Sequence, residues 1–478
     1  MAANQSRHAK HLARGFNWLG GATIIAKITD FAAILVVLLY LTKAQMGLGS
    51  LLVSLATIVE AFDGMGTGDA LVQAKRVSAA QMQSLFWFIL ASATALGALT
   101  LAAAPLFEHL YGTAGLFPYF AIIALKQPLV GAAVIPLSRL NRALRYERIA
   151  LINVTSTLGA AFTRLGLALA GFGAWALVGG YVASGVFILA SAWVFSPIKL
   201  SFRFHWPEIA PLVRFGAHSA TSNIFEQVFK NIDYLLVGWF YGPANLAVYR
   251  VAFDVAMEPA MAIGTIINRT ALPVFARAGR EAGALKSALL WSLERVCLLN
   301  APLMTALYLA ATPLMGLLHD RNGASYAAAA WPLKIFAIAA ILRIASQLLY
   351  PLLTGTGRPQ LTARLSATTF VLLSAGILTI GFTLPAYPGL IAVAGLWLAI
   401  YPGLLVWGGV YAAKLCTISL PELLTPFKAP GLAVAGVIMA NGVLGLAHPT
   451  PWVKIAVILA TTGLAYTWLI NRAKRQAA

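Results

Sequence analysis

Apolar residues in this chain of 478 come in long blocks separated by short polar breaks, not in the mixed periods of a soluble fold. A membrane-spanning helix needs about 20 mostly apolar residues. Breaks at Gly, Pro and charge clusters give fourteen such segments: 16–42, 47–72, 83–104, 116–137, 149–171, 174–195, 212–241, 245–272, 287–313, 327–354, 363–384, 389–412, 429–447 and 452–471. The pattern predicts an all-α polytopic membrane protein, and the length of several segments predicts tilt or extension beyond the bilayer.

The loops test that count. With the N-terminus inside, the inside loops collect Arg7, Lys10, Arg14, Lys75, Arg76, Arg139, Arg142, Arg145, Arg148, Lys199, Arg203, Arg214, Arg277, Arg280, Lys286, Arg358, Arg364, Lys414, Lys428, Arg472, Lys474 and Arg475. Those 22 cations face only Lys43, Arg321 and Lys454 outside. An error of one helix scrambles the alternation, so the positive-inside rule predicts an even number of crossings and cytoplasmic termini. The basic N-terminus runs into an apolar stretch, as a signal peptide does. That stretch is long, contains Lys27 and Asp30 and lacks a small-residue cleavage site, which predicts a retained first helix. The largest outside loop, about 314–326 around His319, Asp320 and Arg321, is too small for a folded domain. The longest inside connection, 196–216, mixes aromatics with Lys199 and Arg203 and is expected to lie along the membrane surface.

Composition sharpens the class. The chain is 60% apolar and 10% charged with a mean hydropathy of +0.81, whereas a soluble domain carries roughly 25% charged residues. The net charge of +19 points to nucleic acid in a soluble protein, but here the basic loops account for it and no nucleic-acid partner is expected. Cys297 and Cys416 cannot make a disulfide framework and are expected to be buried, reduced thiols. No Walker loop is present, and the seven histidines lack metal spacing, so no ATPase, cofactor or metal is expected.

The halves resemble each other. Lys27-Ile28-Thr29-Asp30 in the first helix and Lys230-Asn231-Ile232-Asp233 in the seventh each follow an arginine and a glycine (Arg14, Gly15; Arg214, Gly216) by a little over a dozen residues. Each leads through an outside turn to a helix with two carboxylates, Glu60 and Asp63 or Asp254 and Glu258. Six helices separate the copies, so both halves enter the membrane in one direction. That predicts two parallel six-helix lobes around a V-shaped central cavity. The N-lobe is 1–195, a cytoplasmic interfacial linker 196–211, and the C-lobe 212–412. Two added helices and a basic tail fill 413–478.

Charges at membrane depth cost about 2.5–3.5 kcal/mol each on insertion scales and usually face a partner or a cavity. Lys27, Lys126, Arg164, Lys230, Arg250, Lys334 and Arg343 form the basic set, and Asp30, Glu60, Asp63, Glu226, Asp233, Asp254 and Glu258 the acidic one. Spacings of i,i+3 (Lys27–Asp30, Lys230–Asp233) or i,i+4 (Glu226–Lys230, Arg250–Asp254) allow pairing on one helix. Lys126, Arg164 and Arg343 lack such an acid and are the candidates for anion contacts, set against pairing with another helix. Glu60, Asp254 and Glu258, with Asp30, Asp63 and Asp233, are candidates for a coupling cation or proton. Asp63-Gly-Met-Gly-Thr-Gly-Asp69 lies in a membrane helix and predicts loosening or close packing there.

Several stretches resemble the polysaccharide transporters, the Wzx-type oligosaccharide flippases of the multidrug/oligosaccharidyl-lipid/polysaccharide exporter superfamily. They are DGMGTGDALVQ (63–73), LSRLNRALRYERIALIN (137–153), the run 214–259, ALPVFAR (271–277) and LLTGTGRPQ (352–360). Most specific is the pattern of Asn231, Asp233, Gly238, Gly242, Leu246, Tyr249 and Pro259. The resemblance implies a non-enzymatic flippase in the bacterial cytoplasmic membrane that moves undecaprenyl-diphosphate-linked oligosaccharide outward. It also implies a polysaccharide polymerase and chain-length machinery as partners. The basic cavity residues Lys27, Lys126, Arg164, Lys230, Arg250 and Arg343 are then expected at the pyrophosphate and glycan. Of the charges, Lys27, Asp30, Lys230, Asp233, Arg250 and Asp254 fall in matching helices. Lipid II flippases carry several arginines early in the chain; Lys27 stands here instead, which argues against a peptidoglycan role. Two other readings stay open: a cation-coupled multidrug exporter of the same superfamily, and a membrane glycan ligase or polymerase, for which no catalytic outside loop is visible.

Overall fold

The computed structural model describes residues 26, 28–278, 283–416, 418–419, 421–422, 425–445 and 450–477. Among them the only β feature is an isolated bridge between His319 and Ser325. The described residues otherwise form helices and their connections: α1 (Ile28–Leu38), α2 (Lys43–Glu60), α3 (Thr67–Gln73), α4 (Ala79–Ala102), α5 (Ala104–Tyr111), α6 (Phe117–Arg142), α7 (Tyr146–Leu169) and α8 (Trp175–Phe195) come first. The helical run Trp206–Ala278 breaks at Gly242 into α9 (206–241) and α10 (243–278). Then follow α11 (Ala284–Leu317), α12 (Ala330–Gln347), α13 (Leu349–Gly355), α14 (Pro359–Thr383), α15 (Ala386–Cys416), α16 (Lys428–Gly445) and α17 (Pro451–Ala477).

Helix lies in each of the fourteen predicted ranges. Eight stretches among the described residues are long and apolar enough to cross a membrane: 79–111, 117–142, 175–195, 284–317, 327–355, 360–383, 386–416 and 451–472. The protein is thus a multi-pass membrane protein. Several of the other helices are short of apolar character because they hold the charges: α7 carries Arg164, α9 carries Glu226, Lys230 and Asp233, and α10 carries Arg250, Asp254 and Glu258.

Local chemistry sets the helix ends. Thr42 and Gln45 form a capping box at α2, and Ser78 and Gln81 another at α4, each satisfying two orphan N–H groups. The second predicted span is not one helix. After Glu60 the chain passes through a 3-10 turn, Asp63–Gly66, before α3 resumes. Gly66 has φ 65, and a Cβ there would lie 2.2 Å from the Gly216 carbonyl oxygen on α9. Glycine is needed at that point for both conformation and approach.

The chain divides into two compact units, Met1–Leu246 and Ala247–Ala478. In the first, Leu71, Leu85, Phe86, Ile89, Ile135 and Ile209 form a core between α3, α4, α6 and α9. Arginines cap carbonyls at one end of this unit: Arg142 donates to Leu71 O and Ala74 O, Arg139 to Pro197 O at 2.8 Å and Arg148 to Phe195 O at 2.9 Å. These are carbonyls at or just beyond helix C-termini, where a cation also meets the negative end of the helix dipole. In the second unit an aromatic core of Tyr249, Phe253, Phe336, Trp397 and Tyr401 joins α10, α12 and α15. Trp397 Nε1 donates to the Tyr249 hydroxyl at 3.0 Å, satisfying a buried indole. Cys297 and Cys416 are buried free thiols, as expected.

Candidate functional site

The break after α2 builds a charged cluster in the first unit. Glu60 Oε2 accepts from Lys126 Nζ at 2.9 Å and from the Tyr181 hydroxyl at 2.5 Å, which ties α2 to α6 and α8. The Lys126 side chain is only 3% exposed and its ammonium sits 3.3 Å from the Tyr181 ring centroid. The ion pair and the ring face together offset the cost of burying that cation. One turn on, the Gln127 amide, turned with its nitrogen toward Asp63, donates to both carboxylate oxygens at 2.5 and 3.0 Å. Glu60 thus takes the ammonium, while Asp63 beside it is held by an amide.

A cavity of about 420 Å³ opens beside the cluster, lined by Thr57, Glu60, Asp63, Asp69, Glu226 and Gln227 among others. No lysine or arginine is among its lining residues. An acidic, polar cavity of this kind attracts cations and repels phosphate. Within it, Glu226 is held by Lys230 at 2.5 Å.

The other predicted site residues fall as follows. Arg164 Nη1 donates to Asp30 Oδ1 at 2.9 Å, so α7 and α1 share an ion pair. Lys126 and Arg164, chosen because no acid lies near them in sequence, both find one on another helix. Lys27 lies outside the described residues. Lys230 pairs with Glu226 rather than Asp233, the i,i+4 order with the acid N-terminal being the better one. Asp233 is buried and accepts from the Tyr234 N–H at 2.9 Å. In the second unit Arg250 Nε meets Asp254 Oδ2 at 3.2 Å, as the spacing predicts. Glu258, half-buried, follows one turn later.

Arg343 differs from Lys126, Arg164, Lys230 and Arg250, each of which meets a carboxylate. Its guanidinium lies 5.3 Å from the Trp397 ring and 6.0 Å from the Phe253 ring, and Nη1 reaches Met257 Sδ at 3.9 Å. No carboxylate among the described residues lies within ion-pair distance of it. The planar, always-charged group keeps its donors open in a half-buried aromatic setting. Lys334, nine residues earlier on α12, stacks instead on Trp331 and Tyr308. Tyr181 and Gln127 are site residues that sequence reasoning misses: both sit in apolar runs, and no local spacing marks them.

Residues 38–322 match the family model described as polysaccharide biosynthesis protein. The chain belongs to that family. The match contains the run 214–259, whose glycines and charges carry the resemblance. This family member is 23% identical over 300 residues to teichuronic acid biosynthesis protein TuaB of Bacillus subtilis, covering 59% of this chain and 58% of that one. It is 24% identical over 300 residues to lipopolysaccharide biosynthesis protein WzxC of Escherichia coli, covering 61% and 60%. Against succinoglycan biosynthesis transport protein ExoT of Rhizobium meliloti the identity is 24% over 359 residues, covering 73% and 70%. The matched part thus spans about three fifths of the length of the first two relatives. Among solved structures, the lipid II flippase MurJ in an inward closed conformation superposes with TM-score 0.69 at 10% identity, over 95% of this chain and 99% of that one. An inward-facing multidrug-resistance transporter of the MATE family gives 0.67 at 14%, over 82% and 96%. At such identities the likeness shows a shared helical fold.

Proposed function

We propose that the protein is a flippase that carries undecaprenyl-diphosphate-linked oligosaccharide repeat units from the cytoplasmic to the outer leaflet by alternating access. It would do so without catalysis, in the bacterial cytoplasmic membrane, with both termini inside. Polysaccharide polymerase and chain-length machinery would act on the product. The observation that carries this reading is Arg343, a guanidinium at membrane depth with no carboxylate partner among the described residues. Such a group needs an anion, and its fork suits the oxygens of a diphosphate. The family of polysaccharide biosynthesis proteins supplies the class of glycan. A diphosphate and a hydrated sugar cannot cross hydrocarbon unaided, whereas a polyprenyl tail dissolves there.

Lys126 and Arg164, already neutralised by Glu60 and Asp30, serve better as helix ties than as phosphate ligands. The acidic cavity beside Glu60 and Asp63 supports a role in coupling, by taking up a proton or cation while the anion moves elsewhere. The same cavity favours the second reading, a cation-coupled exporter of cationic drugs.

Deletion of the gene followed by lipid extraction separates the two. Sugar-loaded polyprenyl diphosphate accumulating on the cytoplasmic face is the expected result. Normal glycan output with altered drug tolerance would replace the flippase by the exporter.

A further inference from the structure

The connection between α8 and α9 is not helical, and its sequence alternates with a period of two. Leu200, Phe202, Phe204 and Trp206, the last opening α9, alternate along the sequence with Lys199, Ser201, Arg203 and His205, and all eight are exposed. These apolar side chains are exposed, Phe202 84%, Phe204 51%, Trp206 47% and Leu200 44%, with Phe202 lying 5.2 Å from the Trp87 ring and Trp206 5.6 Å from the Phe88 ring on α4. Four adjacent large apolar side chains make a contiguous patch, which marks an interaction surface.

The strap is nevertheless fixed. Gln83 Nε2 donates to Lys199 O at 3.4 Å, Trp87 Nε1 to Ser201 O at 3.0 Å, and the Ser201 hydroxyl to Gln83 Oε1 at 2.6 Å. The His205 N–H donates to Ser84 Oγ at 3.1 Å. All of these partners belong to the first turns of α4, which open the apolar stretch 79–111. The strap therefore runs beside the start of a stretch long and apolar enough to cross a membrane. Side chains satisfy its carbonyls only in part, which suits the headgroup layer and not hydrocarbon.

Charge decides what covers it. Lys199 and Arg203 lie on the strap, and Arg139, Arg145 and Arg148 stand at the adjoining helix ends. The nearby acids are Glu208, already 3.6 Å from Arg203, and Glu147. A basic rim around exposed aromatic rings matches anionic headgroups above and acyl chains below.

We propose that residues 199–206 form a docking strip for anionic phospholipids of the inner leaflet, with Phe202, Phe204 and Trp206 dipping to the acyl boundary and Lys199 and Arg203 binding the phosphates. This docking requires that the arginine-rich end of the first unit face the inner leaflet, and it is independent of what the protein carries.

The test uses the full chain with Cys297→Ser and Cys416→Ser, reconstituted in phosphatidylcholine vesicles with or without phosphatidylglycerol. A nitroxide on Phe202→Cys, and separately on Phe204→Cys, reports access to oxygen in lipid or to a nickel chelate in water. A label on Val194→Cys, exposed near the end of α8, confirms insertion of each variant. The expected result is oxygen access at 202 and 204 that deepens with phosphatidylglycerol. Lys199→Gln with Arg203→Gln abolishes that dependence, and each charge removed weakens the preference about fivefold. Chelate access at both positions in both lipids overturns the docking strip. So does shielding from both probes, which would mean a protein cover, or a phosphatidylglycerol effect that survives the double substitution.

Discussion

Lys126 is buried at membrane depth against Glu60 and the Tyr181 ring. Removing one member of a buried pair strands the other, at a cost of about 3–5 kcal/mol. Lys126→Met is therefore expected to lower unfolding stability in detergent by that order, and Glu60→Gln added to it to restore most of the loss. A double variant as unstable as the single one would mean that the pair is not the tie between α2 and α6. Arg343 should behave oppositely, since among the described residues it has no carboxylate to strand. Arg343→Ala should leave the protein folded and weaken binding of undecaprenyl diphosphate roughly ten- to a hundredfold, as loss of a charged hydrogen bond predicts. Arg343→Lys should fall between, lacking the planar fork. Equal binding by wild type and Arg343→Ala in a titration would remove Arg343 from the site. Sequence spacing exposes Glu226–Lys230 and Arg250–Asp254, because a helix brings residues four apart together whatever surrounds it. It is silent on Lys126–Glu60 and Arg164–Asp30, which depend on the rotation of separate helices about their axes.

At the scale of elements, apolar blocks locate the helices well, since the bilayer demands length and apolarity wherever a helix crosses. Breaks within a block are less legible. The run Asp63-Gly-Met-Gly-Thr-Gly-Asp69 announces a weak helix, but only the fold reveals that Gly66 meets the Gly216 backbone. Gly66→Ala adds about 1–2 kcal/mol of left-handed strain to that clash. It should separate α9 from the break and lower thermal stability, whereas Gly395→Ala, with open space at its Cβ, should not. A second element contact carries a pH signature. Glu422, between α15 and α16, accepts from Lys286 Nζ at 2.6 Å and from the Ser419 N–H and hydroxyl at 2.9 Å each. The Lys286 hydrogen bond first, then those from Ser419, hold its pKa down at about 2, below the ordinary 4.5. A depressed carboxyl stabilises its contact above the unfolded pKa and releases it as pH falls through the folded one. The tether should thus be complete at neutral pH and weaken between about 4.5 and about 2. Hydrogen exchange of the stretch around 418–422 should rise across that window in wild type, and already be high at neutral pH in Glu422→Gln.

On the scale of the whole molecule, the expected topology sets 22 inside cations against three outside, and this asymmetry is predicted to govern how the chain enters the membrane. Part of that asymmetry also has structural work, because Arg139, Arg142 and Arg148 cap carbonyls at the end of the first unit. The two roles predict different damage. Replacing Arg7, Arg14, Lys474 and Arg475 removes topological charge from the chain ends alone, and short flanking loops dominate orientation. With most of the 22 still in place, reporter fusions after Ala478 should remain cytoplasmic and those at Asn322 should remain outside. Replacing Arg139, Arg142 and Arg148 by Gln should leave the same reporters in place yet lower thermal stability, since the carbonyls of Leu71, Ala74, Phe195 and Pro197 lose charged donors worth about 1.5–3 kcal/mol each. An inverted Asn322 reporter in the wild type would instead place the arginine-rich end outside. The same inversion would turn the acidic cavity by Asp63 and the basic strap at 199–206 toward the opposite leaflets from those required for outward transport and inner-leaflet docking.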